Sequence, residues 1–162
     1  MHFKLVLQLT ALLGLANTTP ILLNYLVGRR WASPLDGGVR LPDGQPLFGS
    51  SKTIRGVLSA ILATAAGGAA LGPGWKIGAA IGAISMAGDL LSSFFKRRLR
   101  LMPGGRATGL DQIPEALLPL VVCRESLQLT MLDIAAVTVI FFVVEVLLSI
   151  VFYRLHLREQ PY

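Results

Sequence analysis

Long apolar runs separated by short polar segments are the main pattern of this chain of 162 residues. A bilayer core of about 30 Å needs roughly 20 apolar residues per helix. Five runs reach or approach that length, and they cover approximately residues 5–27, 54–71, 75–95, 113–123 and 131–155. The fourth run is short, so we expect it either to span with difficulty or to sink into the protein. The pattern predicts an all-α integral membrane protein, a single membrane domain over 1–162 with about five transmembrane helices.

The composition agrees with a membrane location. Hydrophobic residues make up 53% of the chain and charged residues 15%, against roughly 25% charged residues in an average soluble domain. A soluble fold of about 150 residues exposes roughly a third of its surface, so it would leave much of this apolar material in contact with water. Cys123 is the single cysteine, which excludes an internal disulfide and therefore a disulfide-stabilised scaffold.

Basic residues are concentrated in alternate segments between the runs. The net charge of +6 would by itself suggest a nucleic-acid partner. Twelve of the fifteen basic residues, however, share three segments, and these are Arg29, Arg30, Arg40, Lys52 and Arg55, then Lys96, Arg97, Arg98, Arg100 and Arg106, and finally Arg154 and Arg158. If the runs alternate across a membrane, all twelve lie on one face, which the positive-inside rule identifies as cytoplasmic. We expect a multi-pass protein of the cell membrane with its N-terminus outside, its C-terminus in the cytoplasm, and no nucleic-acid partner.

The first run has a second interpretation. Its leucine-rich stretch, followed by Gly14-Leu15-Ala16, is typical of a signal peptide with a cleavage site. Apolar sequence resumes at Ile21, however, and the charge pattern requires an odd number of spans. We therefore interpret the run as a retained helix. The two cytoplasmic loops, 28–53 and 96–112, are then the segments in which a functional site is expected.

Asp89 lies inside the third run, about 10 Å from Lys96 at a rise of 1.5 Å per residue. A carboxylate at that depth normally faces a partner or a water-filled cavity. At about 100° per residue, one helix face carries Asp89, Ser92, Ser93, Lys96 and Arg100. An acid, hydroxyls and cations at a cytoplasmic helix end suit a metal-bound polyphosphate. The alternative is a helix-end pairing of Asp89 with Ser93 and Lys96 that involves no ligand.

The polar loop that follows contains basic residues, glycines and a second acid. Lys96-Arg97-Arg98-Leu99-Arg100 is followed by Pro103-Gly104-Gly105-Arg106 and then by Asp111-Gln112. Glycines allow the backbone to approach a ligand closely, and arginine and lysine neutralise phosphate oxygens. Asp89 and Asp111 supply hard oxygen ligands of the kind that hold Mg²⁺ together with substrate phosphates. The alternative for the basic residues is a surface patch that contacts anionic lipids.

A third group of polar residues lies at the start of the second run. Lys52, Thr53 and Arg55 follow a glycine-serine turn that opens a helix. The segment is not a P-loop, because Lys52 comes two positions too late after Gly49 and no strand precedes it. Helix N-termini attract anions through their free N–H groups. The alternative is a capped helix start with two positively charged membrane anchors.

Isolated polar residues and glycines also occur within the runs. Asn17, with Pro20, interrupts the first run, which indicates either a cavity near the active face or a structural kink. Glu145 in the fifth run either lines a cavity, relays a proton or forms a structural hydrogen bond, for instance with Asn17. Three glycines at a spacing of four residues are expected to let the third run pack closely on a neighbouring helix, and these are Gly74, Gly78 and Gly82.

Short motifs occur in a fixed order between residues 17 and 115. They are Ala16-Asn17 with Pro20, Asp36-Gly37-Gly38, Leu47-Phe48-Gly49 with Lys52-Thr53 and Arg55-Gly56, Gly88-Asp89 with Ser93-Phe94 and Lys96-Arg97-Arg98, Pro103-Gly104, and Leu110-Asp111-Gln112. Together they resemble the CDP-archaeol synthase family, a small five-span branch of the CTP-dependent phosphatidate cytidylyltransferases.

This resemblance implies a reaction in which CTP and a lipid phosphate give a CDP-activated lipid and pyrophosphate. By analogy, Asp89, Lys96 and Asp111 are the catalytic residues, and Asp89 and Asp111 hold Mg²⁺. Lys52 and Arg55 would contact the triphosphate tail or the lipid phosphate. The residues implied to bind substrate are Lys52, Thr53, Arg55, Ser93, Arg97, Arg98, Gln112 and Asn17. The lipid itself, diether or diacyl, stays open.

The chain departs from the larger phosphatidate enzymes in one respect. No second aspartate follows Asp111, so a second metal ion would have to use Asp89, Asp36, Asp43 or Glu115. A different class of protein, a small membrane transporter or a lipid-binding module without catalysis, is the alternative interpretation. Glu145 separates the two, because a transporter would need it and the transferase would not.

Overall fold

The computed structural model describes residues 2–28, 31–101 and 111–154 and consists of five helices. They are α1 (Phe3–Val27), α2 (Ile54–Leu71), α3 (Trp75–Arg98), α4 (Gln112–Val122) and α5 (Met131–Arg154). Throughout these ranges the only β structure is a pair of isolated bridges between residues of the segment 34–53. The predicted all-α membrane fold is therefore confirmed, and α3 continues three residues beyond the predicted end of the third run.

Four of these helices are long and apolar enough to cross a membrane, and α4 is not one of them. Its 11 residues extend only about 16 Å. Two contacts show how the chain nevertheless returns. The His2 backbone N–H donates to the Asp133 carboxylate at 2.7 Å, so α1 and α5 begin at the same end of the bundle. Lys96 contacts Asp111 at the opposite end, where α3 ends and α4 begins. Together, α4 and the turns after it therefore carry the chain from one end of the bundle to the other.

We call the end that carries the segment 31–53 the loop end, and the opposite end the far end. The bundle divides accordingly into a loop half and a far half. Leucine, isoleucine, valine and phenylalanine side chains fill the centre of the far half, and they include Val6, Leu9, Leu12, Leu13, Ile81, Leu120, Val137 and Phe141. Lipid tails are as apolar as these side chains, so close packing rather than removal from water holds this core together.

Glycines set the distance between α2 and α3. A side chain at Gly78 would place its Cβ 2.1 Å from the Thr64 carbonyl oxygen, and one at Gly82 would come equally close to the Thr64 hydroxyl. The predicted close packing is confirmed at these two positions. Gly74 differs, because a Cβ there would meet no atom within 4 Å and its φ of +95° instead forms the turn into α3. Close packing brings the polar face of α3 next to the start of α2.

The segment 31–53 is folded around the carboxylate of Asp36. Backbone N–H groups of Phe48, Gly49 and Gly38 donate to it at 2.9 to 3.0 Å. Burial alone would raise the pKa of Asp36, but these hydrogen bonds outweigh it and hold the pKa below its ordinary value. Arg98 ties the segment to the end of α3 by donating to Asp43 at 2.5 Å and to the Pro46 carbonyl at 2.8 Å.

Candidate active site

A lysine and an aspartate from separate elements meet inside the loop half. The Lys52 ammonium group, just before α2, contacts both carboxylate oxygens of Asp89 at 2.6 and 2.5 Å. Asp89 lies nine residues before the end of α3, roughly 13 Å along the helix. Burial by itself would lower the pKa of Lys52, but the Asp89 carboxylate, with smaller contributions from Glu115 and Asp111, raises it above its ordinary value. Lys52 therefore stays charged.

A second ion pair joins the end of α3 to the start of α4. The Lys96 ammonium group lies 2.7 Å from one oxygen of Asp111 and 2.9 Å from the other. Both side chains are largely buried, with exposed fractions of 8% and 14%. Ser92 and Ser93 are buried on the same face of α3. The structure therefore places Asp89, Ser93 and Lys96 on one inward face, as helical spacing indicated. Arg100, which was predicted to share that face, lies beyond the end of α3 and is exposed.

Glu115 completes the cluster. Its side chain is 3% exposed, and it shares a hydrogen bond with Asp89. Gly88 makes this approach possible, because a Cβ there would lie 2.5 Å from the Pro114 carbonyl oxygen. Two carboxyl groups repel each other when both are ionised, so such a hydrogen bond requires a proton between them. A bound cation can replace that proton.

Glu115 entered the sequence interpretation only as an alternative ligand for a second metal ion. A stronger signal was present, because Glu115 follows Asp111 by four residues and thus lies above it on the same face of a helix. We call Lys52, Asp89, Lys96, Asp111 and Glu115 the charge cluster. Its three carboxyl groups and two ammonium groups come from three elements and lie within electrostatic reach of one another.

The donor set suits a magnesium ion that binds together with phosphate. Within the described residues no group of three or more His, Cys, Asp or Glu side chains is arranged to hold a metal ion by itself. Mg²⁺ does not need one, since it is usually held by one or two carboxylates, substrate phosphates and water. Asp36 and Asp43 are engaged elsewhere, with loop backbone and with Arg98, which leaves Asp89, Asp111 and Glu115 of the predicted metal ligands.

A family model and a sequence relative both indicate the family to which this chain belongs. The family model "CarS-like: CDP-archaeol synthase" matches residues 75–162. The CDP-archaeol synthase of Sulfurisphaera tokodaii is 35% identical over 138 residues, which cover 80% of this chain and 82% of that protein. The chain belongs to the CDP-archaeol synthase family.

Two further relatives support the assignment. The CDP-archaeol synthase of Aeropyrum pernix is 43% identical over 115 residues, which cover 67% of this chain and 62% of that protein's length. A solved structure, described as an intramembrane enzyme for archaeal membrane lipid biosynthesis, superposes with a TM-score of 0.71 at 34% identity, and covers 88% of this chain and 91% of its own. The predicted class, a multi-pass membrane cytidylyltransferase of lipid metabolism, is confirmed.

The remaining predicted site residues of this CDP-archaeol synthase family member do not all lie at the charge cluster. Arg97 and Gln112 are buried beside the charge cluster, and Arg97 interacts with Asp111. Thr53 caps α2 by accepting from the Gly56 N–H at 3.1 Å. Arg98 holds the segment 31–53 and lies over the Phe94 ring at 5.3 Å. Thr53 and Arg98 thus build the site without lining the charge cluster.

Arg55 lies apart from the charge cluster, whereas Asn17 lies in a crevice whose Glu145 is within electrostatic reach of Glu115. The Arg55 guanidinium donates to the Asn24 side chain at 3.2 Å and to the Gly28 carbonyl at 2.9 Å, on the α1 side of α2. Asn17 lines a crevice between α1 and α5 together with Glu145. The residues Arg29, Arg30, Pro103, Gly104, Gly105, Arg106 and Leu110 lie outside the described ranges.

Proposed function

We propose that this chain transfers the cytidylyl group of CTP to an archaeal-type diether glycerol phosphate and releases pyrophosphate, at the cytoplasmic face of the cell membrane and with Mg²⁺. The observation that carries the proposal is the charge cluster, in which two lysine–carboxylate pairs and a third carboxyl converge inside the loop half. The names of the relatives favour the diether lipid over phosphatidate. Family membership favours the enzyme over a transporter or a lipid-binding module.

The bonds change at the α-phosphorus of CTP. An oxygen of the lipid phosphate attacks this phosphorus in line, a new P–O bond forms, and the bond to the bridging oxygen of the β-phosphate breaks. The electron pair leaves with pyrophosphate, and no proton needs to move if the lipid phosphate is fully ionised. Catalysis of this kind consists of positioning and charge neutralisation. Lys52, Lys96 and Arg97 supply the positive charges, and Gln112 is our candidate for contacting cytosine.

The ion pairs match the charges of a metal–triphosphate. Asp89 and Asp111, with Glu115 beside them, would hold Mg²⁺, which when bound neutralises phosphate charge and polarises the P–O bonds. The carboxylates of the pairs can then turn to a cation while Lys52 and Lys96 turn to phosphate oxygens. Paired opposite charges keep the cluster close to neutral before substrate arrives, which avoids an uncompensated buried charge.

The test uses purified full-length protein in detergent with Mg²⁺ and CTP labelled at the α-phosphate. A dialkyl glycerol phosphate and a diacyl phosphatidate are supplied in parallel, and label is counted in the organic phase. We expect label in lipid, with the diether preferred, and none when CTP carries the label at its γ-phosphate. Folded protein that transfers label to neither lipid would contradict the proposal and favour a role in lipid binding or transport.

A further inference from the structure

Arg55 and Lys52 are close in sequence but point to opposite sides of the start of α2. Lys52 reaches α3 and the charge cluster, whereas Arg55 is held against the end of α1 by Asn24 and the Gly28 carbonyl. From the sequence, both residues were predicted to contact the same phosphate groups. Their separation would give each a different phosphate to contact, because the proposed function puts the polyphosphate with Lys52 at the charge cluster.

Arg55 forms the polar mouth of a groove between α1 and α2. The groove has a volume of about 440 Å³, within the range of small-molecule sites. Its floor is an apolar stripe of α2 at four-residue spacing, Ile54, Leu58 and Leu62, and Leu23 of α1 forms the wall. The stripe is largely exposed, since Leu58 is 55% and Leu62 70% exposed. In a membrane this surface meets lipid.

Trp31 marks the depth of the groove mouth. Its ring lines the groove next to Arg55 and is 84% exposed. Tryptophan is enriched at the boundary between hydrocarbon and headgroups, where its ring is partly apolar and partly polar. The groove therefore begins at headgroup level, with a guanidinium that can donate to phosphate, and continues along α2 into the hydrocarbon. A lipid phosphate has the same arrangement, with its charged group at headgroup level and its hydrocarbon chains below it.

We propose that this groove seats a hydrocarbon chain of the lipid phosphate substrate and that Arg55 at its mouth binds the lipid phosphate. The inference rests on the proposed function. Arg55 thus determines lipid binding, and Lys52, three residues earlier, faces the polyphosphate at the charge cluster.

The first test measures initial rates with lipid phosphate varied at saturating CTP, and with CTP varied at saturating lipid. We expect Arg55→Ala to raise the KM for lipid about tenfold, because a charge-assisted hydrogen bond is lost, and to change the KM for CTP less than twofold. Arg55→Lys should recover part of the loss. An equal rise in both KM values would overturn the assignment of Arg55 to the lipid.

A second variant blocks the groove without removing a polar contact. Leu58→Trp should raise the KM for a lipid phosphate with long chains about tenfold and leave a lipid phosphate with four-carbon chains unaffected. Leu147→Trp on α5 is the matched control, since Leu147 is 56% exposed and does not line the groove. Equal effects of the two variants, or an effect of Leu58→Trp on short chains, would overturn the groove as a chain site.

A binding measurement separates this inference from the proposed function. Trp75→Phe leaves Trp31 as the single tryptophan, so its fluorescence reports the groove without turnover. A dialkyl glycerol phosphate with brominated chains should quench Trp31 saturably, and Arg55→Ala should abolish saturation, whereas a brominated phosphatidylcholine should quench weakly. Equal quenching by both lipids means that only bulk lipid covers the groove, and the inference fails. Saturable quenching without nucleotide transfer would contradict the proposed function alone.

Discussion

Buried positions in the far half hold mostly apolar side chains such as Leu9, Val137 and Phe141, whereas several buried positions in the loop half hold charged side chains such as Lys96 and Glu115. Both halves are built from the same helices. Charged groups in a low-dielectric site cost several kcal/mol each unless they are paired. The far half therefore contributes stability to the fold. That stability offsets the cost of holding charged side chains in place in the loop half. This comparison makes separate predictions for the two halves.

The largest expected effect is on activity in the loop half. Asp89→Asn keeps the shape of the side chain but removes the charge that pairs with Lys52 and that would hold the metal. We expect turnover to fall by about 10³-fold, in the range seen when a single electrostatic catalytic group is removed. Initial rates with labelled CTP measure this, and the thermal unfolding midpoint in detergent is the control. Full activity of a folded Asp89→Asn protein would rule out our metal site.

The corresponding variant of the far half should lower the stability of the fold without changing any residue of the charge cluster. Gly82→Leu drives a side chain into Thr64 and Ile61, which we expect to cost about 3 kcal/mol or more of stability. Gly14→Leu is the matched control, because a Cβ at Gly14 meets no atom within 4 Å. Unfolding in mixed detergent gives the difference. Equal stability of both variants would show that the α2–α3 contact does not depend on its glycines.

A smaller effect is expected from Glu115→Gln. The amide can still donate a hydrogen bond to Asp89, so the packing of α3 against α4 should persist. One candidate oxygen ligand loses its charge, and we expect the Mg²⁺ concentration for half-maximal activity to rise about tenfold. Titration of activity with Mg²⁺ measures the shift, and Glu125→Gln on the turn after α4 is the control. An unchanged Mg²⁺ requirement would assign Glu115 a purely structural role.

The smallest effect concerns the segment 31–53 and its pH dependence. The pKa of Asp36 lies below its ordinary value of 3.8, so its carboxylate stabilises the segment above that pH. This contribution is lost as the pH falls through the lowered pKa of the folded protein. Asp36→Ala should accelerate amide hydrogen exchange at Phe48 and Gly49 about tenfold at neutral pH. Exchange rates equal to those of the unsubstituted protein would contradict the role of Asp36.

The helices were predictable and much of the site was not. Hydropathy depends on local sequence, so the apolar runs predict α2 and α5 to within a residue of the observed bounds. The contact between Lys52 and Asp89 joins positions 37 residues apart. It depends on how far α2 and α3 slide along each other, which Gly78 and Gly82 determine through packing that no residue-by-residue pattern encodes.

The division between Lys52 and Arg55 illustrates the same limit. Both precede or open α2 and carry the same charge, so the sequence gives no reason to separate them. The separation arises because α2 has α1 on one side and α3 on the other, which is a tertiary relation. The position of Glu115 near Asp111, in contrast, could have been predicted from helical spacing, because a short apolar helix was already expected at 113–123.

The pairing of Lys52 with Asp89 has a consequence for how the protein is made. If α3 entered the membrane alone, Asp89 would meet lipid, at a cost of about 2.5 to 3.5 kcal/mol for a charge near the middle of a helix. The ion pair removes that exposure only when α2 is already beside it. The tight link Gly72-Pro73-Gly74 keeps the two segments together as they leave the ribosome. We therefore expect α2 and α3 to insert as one hairpin, and translation intermediates that end between them to leave α2 without its partner.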